Sequence, residues 1–271
     1  MASAVRTSSG RCSTPSYAVL PRTVTLPSIY QAALNDLRIC AYAGRHCAPY
    51  RRSSIRHGVS FTTWRMRSLG TMISCMTPSE LVTERLRLRR WGRADRKPFA
   101  ELNADPKVME YYPEPLGRAA SDAMVDTIEA CFEERGFGLW AVEVTEAGDS
   151  TSDPPFAGYV GLWPATFEAP FTPAVEVGWR LAHRYWGRGY ATEAGRAVLA
   201  DGFGRLELDE IVSFTAAVNA RSRRAMMKLG MTSSAADDFD HPSLPEGHRL
   251  RPHVLYRLSH TRGPRFHPVT P

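Results

Sequence analysis

Two glycines that stand one residue apart restrict the fold of this chain more than any other feature. They lie in HRYWGRGYATEA, residues 183–194, between an apolar run at 174–181 that is typical of a strand and a segment at 191–205 with helical apolar spacing. Glycine lets the backbone come close to an anion, and the first N–H groups of a helix point at it along the helix dipole. The order of strand, glycine turn and helix therefore predicts a phosphate cradle, to which Arg188 adds positive charge.

The spacing within the turn narrows the kind of phosphate ligand. A dinucleotide-binding fingerprint needs a third glycine where Thr192 stands, and a P-loop needs a Gly-Lys pair that this segment lacks. The remaining pattern is Arg-x-x-Gly-x-Gly, at Arg184, Gly187 and Gly189. This pattern resembles the acetyl-CoA pyrophosphate loop of the GNAT superfamily of N-acetyltransferases.

Four other stretches resemble the same superfamily, in the order found in its RimJ/RimL-like branch. They are TERLRLR, an opening strand; DPKVMEYYPEP, a helix and turn; GFGLWAVE, a second strand; and NARSRRAMMKLGM, which carries an Asn-x-x-Ser pair after the glycine turn. The resemblance extends from Leu81 to Leu258. It implies an α+β fold in which a mixed, mostly antiparallel central sheet is splayed at the cofactor strand and flanked by about four helices.

The apolar patterning predicts a matching succession of elements. Alternating apolar residues predict one strand over Leu81–Trp91, and Ser121 is a candidate N-cap for an amphipathic helix that ends at Gly136. Further strands are predicted at 139–146, 156–165, 174–181, 210–218 and 253–259. Short helices are predicted at 95–103 and directly after Asn219.

The charge of the chain is divided unevenly between an extension and a domain. Residues 1–75 contain ten arginines, no lysine and one acid, whereas residues 76–271 contain 24 basic and 27 acidic side chains. We expect residues 1–75 to be a disordered extension, either upstream of the true start or an organelle transit peptide. A domain at 76–262 and a frayed tail at 263–271 would follow. The mildly acidic domain gives no reason to expect nucleic-acid binding.

The cysteines follow the same division, since four of the five lie in the extension and only Cys131 lies beyond it. One thiol in a long domain indicates a reducing compartment. We therefore expect a cytoplasmic location, or an organellar one if residues 1–75 are a transit peptide. No apolar run reaches the ~18 residues of a membrane span, and the histidines lack metal-ligand spacing. Neither a membrane nor a metal is expected as a partner, and the chain is expected to be a monomer or a homodimer.

The resemblance to the GNAT superfamily implies which residues bind an acetyl-CoA cosubstrate. The strand before the turn would bond the pantetheine amides through its exposed backbone, and the turn would bind the pyrophosphate through its N–H groups. The Asn-x-x-Ser pair would face pantetheine and the thiol. The residues so assigned are Trp179, Arg180, Leu181, Arg184, Trp186, Gly187, Arg188, Gly189, Tyr190, Ala191, Asn219 and Ser222.

Acetyl transfer to an amine needs a neutral nucleophile, an oxyanion donor and a proton for the departing thiolate. Glu176 is the candidate base, because it lies on the cofactor strand where the family carries an acidic residue; the alternative is that it pairs with a nearby arginine. Ser222 is the candidate donor to the sulfur, and the alternative is a serine satisfied by the helix backbone. A backbone N–H of the same strand would stabilise the oxyanion.

These features together predict an acetyl-CoA-dependent N-acetyltransferase. Its acceptor would be a primary amine, on a small molecule or at a protein N-terminus, which attacks directly in a ternary complex. The alternative is a catalytically silent acyl-CoA-binding module that keeps the glycine turn and lacks the base. The sequence does not name the acceptor, although the mildly acidic domain suits a cationic one. His241, His248 and His253 are expected to line its pocket, beside a loop of Trp163, Phe167 and Phe171; for Trp163, core packing is the favoured role.

Overall fold

The structure is a computed structural model that describes residues 80–145 and 156–260, together with Pro78. The extension expected at 1–75 and the tail expected at 263–271 lie outside the described residues. None of the helices in the described ranges is long and apolar enough to cross a bilayer.

The described chain forms nine strands and four α-helices around one sheet. The strands are β1 (Glu80–Val82), β2 (Leu86–Arg89), β3 (Leu139–Val144), β4 (Phe156–Ala165), β5 (Ala174–Leu181), β6 (Glu210–Ala216), β7 (Thr232–Ser233), β8 (Phe239–Asp240) and β9 (Pro252–Ser259). The helices are α1 (Arg96–Ala104), α2 (Arg118–Arg135), α3 (Tyr190–Gly204) and α4 (Ala220–Lys228). Single 3-10 turns occupy Arg93–Asp95, His183–Tyr185 and Ala235–Asp237.

The sheet is mixed and mostly antiparallel, which confirms the predicted fold class. Its strands lie in the order β1-β2-β3-β4-β5-β6-β9-β7, and β8 pairs with β9 as well. The pairing of β5 with β6 is parallel, and the other described pairings are antiparallel. The parallel pair requires a crossover, which is supplied by the glycine turn and α3.

Alternating apolar residues build the core of the sheet, as β2 illustrates. Leu86 and Leu88 are fully buried, while Arg87 between them is exposed. Burial of each leucine stabilises the fold by about 1.5–3 kcal/mol. Helices α1 and α2 pack against each other, and α3 packs on β4 and β5. The Phe132 ring of α2 meets the Trp140 ring of β3 edge to face, with centroids 4.6 Å apart.

The prediction of one strand over Leu81–Trp91 is wrong, because the chain reverses after Val82 and forms the hairpin of β1 and β2. The Leu86 N–H donates to Thr83 Oγ1 (3.1 Å), and the Thr83 N–H donates to the Leu86 carbonyl (2.9 Å), which closes the turn. Because side chains alternate along both arms of a short hairpin, the pattern resembled that of one longer strand.

The prediction that Ser121 caps α2 is also wrong. The helix begins at Arg118, after Gly117, and Ser121 is buried within its first turns. The Asn103 amide of α1 donates to the Ser121 hydroxyl (3.1 Å), and the Asn103 carbonyl oxygen accepts from the Arg180 guanidinium of β5 (2.5 Å). Ser121 therefore makes a tertiary contact, which its position in the sequence could not reveal.

Candidate active site

The central sheet divides between β5 and β6. The two strands share one registered pair, Glu176 with Val212, whereas β5 pairs with β4 along its whole length. The Ser213 hydroxyl donates to the Val177 carbonyl (2.8 Å) where the strands diverge. Beyond Val177, the edge of β5 that faces β6 has no neighbouring strand within the described sheet. Its backbone polar groups can therefore bind an extended ligand.

The glycine turn leaves this edge and adopts a backbone that favours glycine. Gly187 and Gly189 have φ values of 77° and 86°, in the left-handed region. The N–H groups of Thr192 and Glu193 both donate to the Gly189 carbonyl (3.0 Å each), so the N–H groups at the very start of α3 remain directed at the turn. A Cβ placed on Gly187 would meet no described atom within 4 Å. The turn thus offers an open, positively polarised cradle that fits a diphosphate.

Arg85 fastens the turn to the hairpin of β1 and β2. Its guanidinium donates to the Arg188 carbonyl (3.1 Å) and, through Nε, to the Glu193 carboxylate (2.7 Å). The Arg85 backbone N–H and the Thr83 hydroxyl donate to the other oxygen of Glu193 (3.0 and 2.6 Å). Glu193, which stands in the first turn of α3 where the helix dipole favours an acid, therefore also anchors α3 to a distant part of the chain.

A cavity of about 590 Å³ runs from the glycine turn through the gap in the sheet. Its wall includes the unpaired half of β5, residues of α4, Trp163 of β4, and Phe167 of the loop between β4 and β5. Volumes of several hundred Å³ are typical of ligand sites. The cavity can therefore hold a thioester arm and a small acceptor at the same time.

Glu176 lines this cavity at the point where the sheet divides. Its carboxyl group lies over Gly178, with Oε1 3.7 Å from the position that a Cβ on Gly178 would take. The residue is partly exposed toward the cavity, yet the protein atoms around it are numerous enough that burial raises the pKa of Glu176 to about 8. Among the described residues its carboxyl group has no ion-pair or hydrogen-bond partner, so the expected alternative of an arginine partner does not occur there.

Asn219 and Ser222 also line the cavity, but they differ in what their side chains contact. Asn219 is the N-cap of α4: its carbonyl oxygen accepts from the Ser222 N–H (3.1 Å), and its amide donates to the Thr215 hydroxyl (3.0 Å). The Ser222 hydroxyl has no hydrogen-bond partner within the described ranges. Asn219 therefore fixes the start of the helix, and the Ser222 hydroxyl is available to a ligand.

The structure separates the remaining predicted donor-site residues into two groups. The cavity wall includes Trp179, Arg180, Leu181, Trp186, Gly187, Gly189, Tyr190 and Ala191. Arg184 and Arg188 lie outside this wall, and their guanidinium groups lie 4.9 and 5.9 Å from the ring centroid of Tyr185. These two arginines could therefore contact only a part of the ligand that extends out of the cavity.

Two predicted residues of β5 are already engaged by neighbouring side chains. The Leu181 carbonyl accepts a hydrogen bond from Trp186 Nε1 (2.8 Å). The Arg180 guanidinium is buried over the ring of Tyr112, 4.0 Å from its centroid, and donates to Asn103. The Arg180 side chain thus braces β5 against α1 and the loop that follows it.

Sequence reasoning missed Phe214 and Phe239 in an aromatic wall at the side of the cavity remote from the turn. Phe214 lies 5.4 Å from Phe167 and 5.8 Å from Phe239 between ring centroids. His241 lies 4.8 Å from Phe167 and 5.0 Å from His253. Of the residues expected beside the acceptor pocket, Trp163, Phe167, His241 and His253 line the cavity, whereas Phe171 and His248 do not. Phe214 carried no signal, because it stands in an ordinary strand pattern. Gly178 could have been found, since a glycine inside a strand often marks a close approach.

Comparison with known proteins identifies the fold and the family. The family model described as the acetyltransferase (GNAT) domain matches residues 85–232. The chain is 33% identical over 156 residues to the uncharacterized protein YkkB of Bacillus subtilis, covering 56% of this chain and 85% of YkkB. It is 30% identical over 161 residues to the FsC-acetyl coenzyme A-N(2)-transacetylase of Aspergillus fumigatus, covering 56% of this chain and 64% of that protein.

A solved structure shows the same fold at lower sequence identity. Spermidine N-acetyltransferase from Vibrio cholerae, in complex with CoA and spermine, superposes with a TM-score of 0.51 at 18% identity, covering 66% of this chain and 98% of that one. The divided sheet and the glycine turn agree with the match of the family model, which spans more than half of the chain. The chain belongs to the GNAT family of acetyltransferases.

Proposed function

We propose that this protein is an acetyl-CoA-dependent N-acetyltransferase of the RimJ/RimL-like branch. Its acceptor is a primary amine, which attacks the acetyl thioester directly while both substrates are bound. The branch is inferred from the five stretches of sequence that follow one another in register, and acetyl transfer to an amine is the general chemistry of the family. We expect the enzyme to act in the cytoplasm as a monomer or a homodimer.

The binding site of the acetyl donor, acetyl-CoA, is assigned to the glycine turn and the unpaired half of β5. The N–H groups from Trp186 to Ala191 would bind the pyrophosphate at the start of α3, where the helix dipole favours an anion. The backbone of Trp179, Arg180 and Leu181 would bond the pantetheine amides. Because Trp186 already donates to the Leu181 carbonyl, we expect the neighbouring backbone groups to carry most of that contact.

Glu176 is proposed as the general base. Acetyl-CoA supplies an activated acetyl group at its thioester, and the attacking nitrogen must lose a proton as its bond to carbon forms. With a pKa of about 8, the carboxylate of Glu176 is a stronger base than an ordinary glutamate and can accept that proton, directly or through one water. The C–S bond then breaks, and the Ser222 hydroxyl donates a hydrogen bond to the sulfur as negative charge develops there.

The observation that carries this proposal is the position of Glu176. A carboxyl group without an ionic partner, on the strand edge where the sheet opens and with its pKa raised by burial, has no evident structural role. Keeping it there costs stability, because burial disfavours the charged form. Perturbed groups of this kind concentrate at functional sites.

A screen of primary amines and short peptides with acetyl-CoA, followed by release of free thiol, tests the activity. We expect turnover with at least one amine, and we expect Glu176→Gln to lower kcat by about 10²–10⁴-fold while acetyl-CoA still binds. Unchanged turnover in Glu176→Gln would remove Glu176 as the base.

The alternative is a silent acyl-CoA-binding module, which shares the donor site. It predicts that the parent protein and Glu176→Gln bind CoA with the same affinity, as measured by calorimetry, and that neither of them turns over any amine. The free carboxyl group at the gap in the sheet favours the enzyme over this module.

A further inference from the structure

The walls of the cavity near Glu176 carry little negative charge. Among the described residues that line the cavity, Glu176 is the one acid, and its pKa of about 8 leaves it mostly protonated at neutral pH. Two acids on neighbouring segments are engaged in ion pairs, Glu110 with Arg221 (2.7 Å) and Asp240 with Arg251 (3.0 Å). Glu168, next to Phe167 in the chain, is exposed and does not line the cavity. A polycationic acceptor would therefore find no second carboxylate on the described wall.

The wall beside Glu176 is instead aromatic. Phe167 from the β4–β5 loop and Phe214 from β6 both line the cavity and are partly exposed, and their rings meet edge to face with an interplanar angle of 85°. Phe171 and Phe239 pack behind them, at 5.9 Å and 6.0 Å from Phe167. Partly exposed aromatic rings gathered at a cavity are typical of a surface that receives an apolar ligand.

The two histidines in this wall carry no charge at neutral pH. Burial, together with the neighbouring His253, lowers the pKa of His241 to about 4. Burial also lowers the pKa of His253, although the Arg251 carbonyl and Asp240 oppose that shift. The wall therefore neither repels nor pairs with a charged group by ionic means.

We infer that the acceptor is a small primary amine attached to an uncharged aromatic or apolar body, which packs on Phe167 and Phe214 while the amine faces Glu176. This inference rests on the proposed function and names the acceptor class for the same site. The physical reason is desolvation. An apolar body gains free energy when it leaves water for these rings, whereas a second ammonium group would lose its hydration without an ionic partner.

The test compares two acceptors that differ in the body attached to the amine. With the full-length protein and saturating acetyl-CoA, we expect kcat/KM for 2-phenylethylamine to exceed that for spermidine by about tenfold or more, which corresponds to about 1.4 kcal/mol. A higher kcat/KM for spermidine, including one that arises from cation–π contacts with the same rings, would overturn the inference.

A pair of matched variants tests whether the wall is responsible. Phe167→Ala removes a ring that lines the cavity, and Phe171→Ala removes a ring of the same loop that lies behind it. We expect Phe167→Ala to raise KM for 2-phenylethylamine about tenfold and to leave KM for spermidine unchanged. We expect Phe171→Ala to change KM for 2-phenylethylamine less than about threefold. The dissociation constant for CoA, measured in both variants, reports that the fold and donor site are intact.

The outcomes separate the two proposals. Equal KM values for 2-phenylethylamine in Phe167→Ala and the parent protein, with CoA binding intact, would overturn the assignment of the wall and leave the acetyltransferase activity standing. A lack of turnover with every amine, in a protein that binds CoA, would remove the proposed function and this inference with it.

Discussion

Glu193 in the first turn of α3 and Arg85 in the β1–β2 hairpin are joined by three contacts, although 108 residues separate them. Desolvation raises the pKa of Glu193, but hydrogen bonds from Thr83 and Arg85 outweigh it and hold that pKa below its ordinary value. The same guanidinium reaches the Arg188 carbonyl. The N-terminal hairpin is therefore part of the support of the glycine turn.

We predict that Glu193→Gln lowers the free energy of unfolding by about 1–3 kcal/mol at pH 7, because it leaves donors of Arg85 and Thr83 without their charged acceptor. Since the folded-state pKa is lowered, the contribution of Glu193 is present above its unfolded pKa, near ~4.3, and is lost as the pH falls through the folded value. Urea unfolding at pH 7 and below pH ~4 measures this difference.

Glu80→Gln is the control for that experiment. Glu80 pairs with Arg87 (2.5 Å) on the same hairpin, but both side chains are much more exposed. We expect its loss to cost less than about 1 kcal/mol at either pH. If Glu193→Gln behaved like Glu80→Gln, the tie between hairpin and helix would have no energetic role.

The rate should depend on pH through Glu176. Because burial raises the pKa of this carboxyl group to about 8, the fraction of carboxylate that can act as base grows as the pH rises and becomes nearly complete above that value. We therefore predict that kcat/KM increases between pH 6 and pH 9, about tenfold per unit well below the pKa. Initial rates across this range measure the profile.

The ionisation of the acceptor must be separated from that of Glu176. Two acceptors can be compared, one with an amine pKa near ~8 and one with an amine pKa near ~10.4. The part of the pH–rate profile that reports the amine then lies at a different pH for each acceptor, while the part that reports Glu176 does not move. With the acceptor whose amine pKa is near ~10.4, the rise in rate near pH 8 should disappear in Glu176→Gln, and the rise that follows deprotonation of the amine should remain. A profile that follows the amine alone in the parent protein would contradict the role of Glu176.

The absence of a side chain at Gly178 should determine how much space the acceptor has beside Glu176. A Cβ on Gly178 would meet only the Glu176 carboxyl group among the described atoms within 4 Å, at the ordinary contact distance of 3.7 Å. Gly178→Ala should therefore fold, with unchanged or slightly higher Tm. Its methyl group would occupy space in the cavity, so we predict a fall in kcat/KM for the acceptor of about tenfold or more.

Gly204→Ala provides the matched change away from the cavity. Gly204 ends α3, and its added Cβ would meet nothing within 4 Å. We expect its kinetic constants to equal those of the parent protein. Equal acceptor kinetics in Gly178→Ala would show that Gly178 does not border the acceptor.

The donor half of the site could be predicted from the sequence because it depends on local structure. A strand, two glycines and a helix start are contiguous in the chain, and left-handed backbone at Gly187 and Gly189 follows from residue type. The strand at 174–181 and the helix after Asn219 were likewise predicted close to their observed bounds, since periodicity and a capping residue mark them.

The acceptor half depends on contacts between distant segments, which no local pattern encodes. Phe167, Phe214 and His253 come from a loop and two strands that meet only when the sheet forms. The reversal after Val82 was hidden for a related reason, because its turn is stabilised by Glu193, far along the chain. Tertiary partners of this kind decide the structure where local preference is weak.

Gly187 offers the sharpest test of the donor site, because the chain contains a second glycine with the same φ value. Gly187 and Gly247 both have φ 77°, and a Cβ on either would meet no described atom within 4 Å. Alanine at either position should therefore cost a similar amount of stability, about 1–2 kcal/mol, from the left-handed backbone alone. Only at Gly187 would the new methyl group lie in the proposed pyrophosphate cradle.

We predict that Gly187→Ala raises KM for acetyl-CoA and the dissociation constant for CoA by about tenfold or more, while Gly247→Ala changes neither. Thermal unfolding of both variants, with and without CoA, measures the two effects together. Both should lose a similar amount in Tm without ligand, and CoA should restore the Tm of Gly247→Ala more than that of Gly187→Ala. Equal stabilisation of the two variants by CoA would mean that the diphosphate lies elsewhere, because the cost of the backbone is the same at both positions and only contact with the ligand distinguishes them.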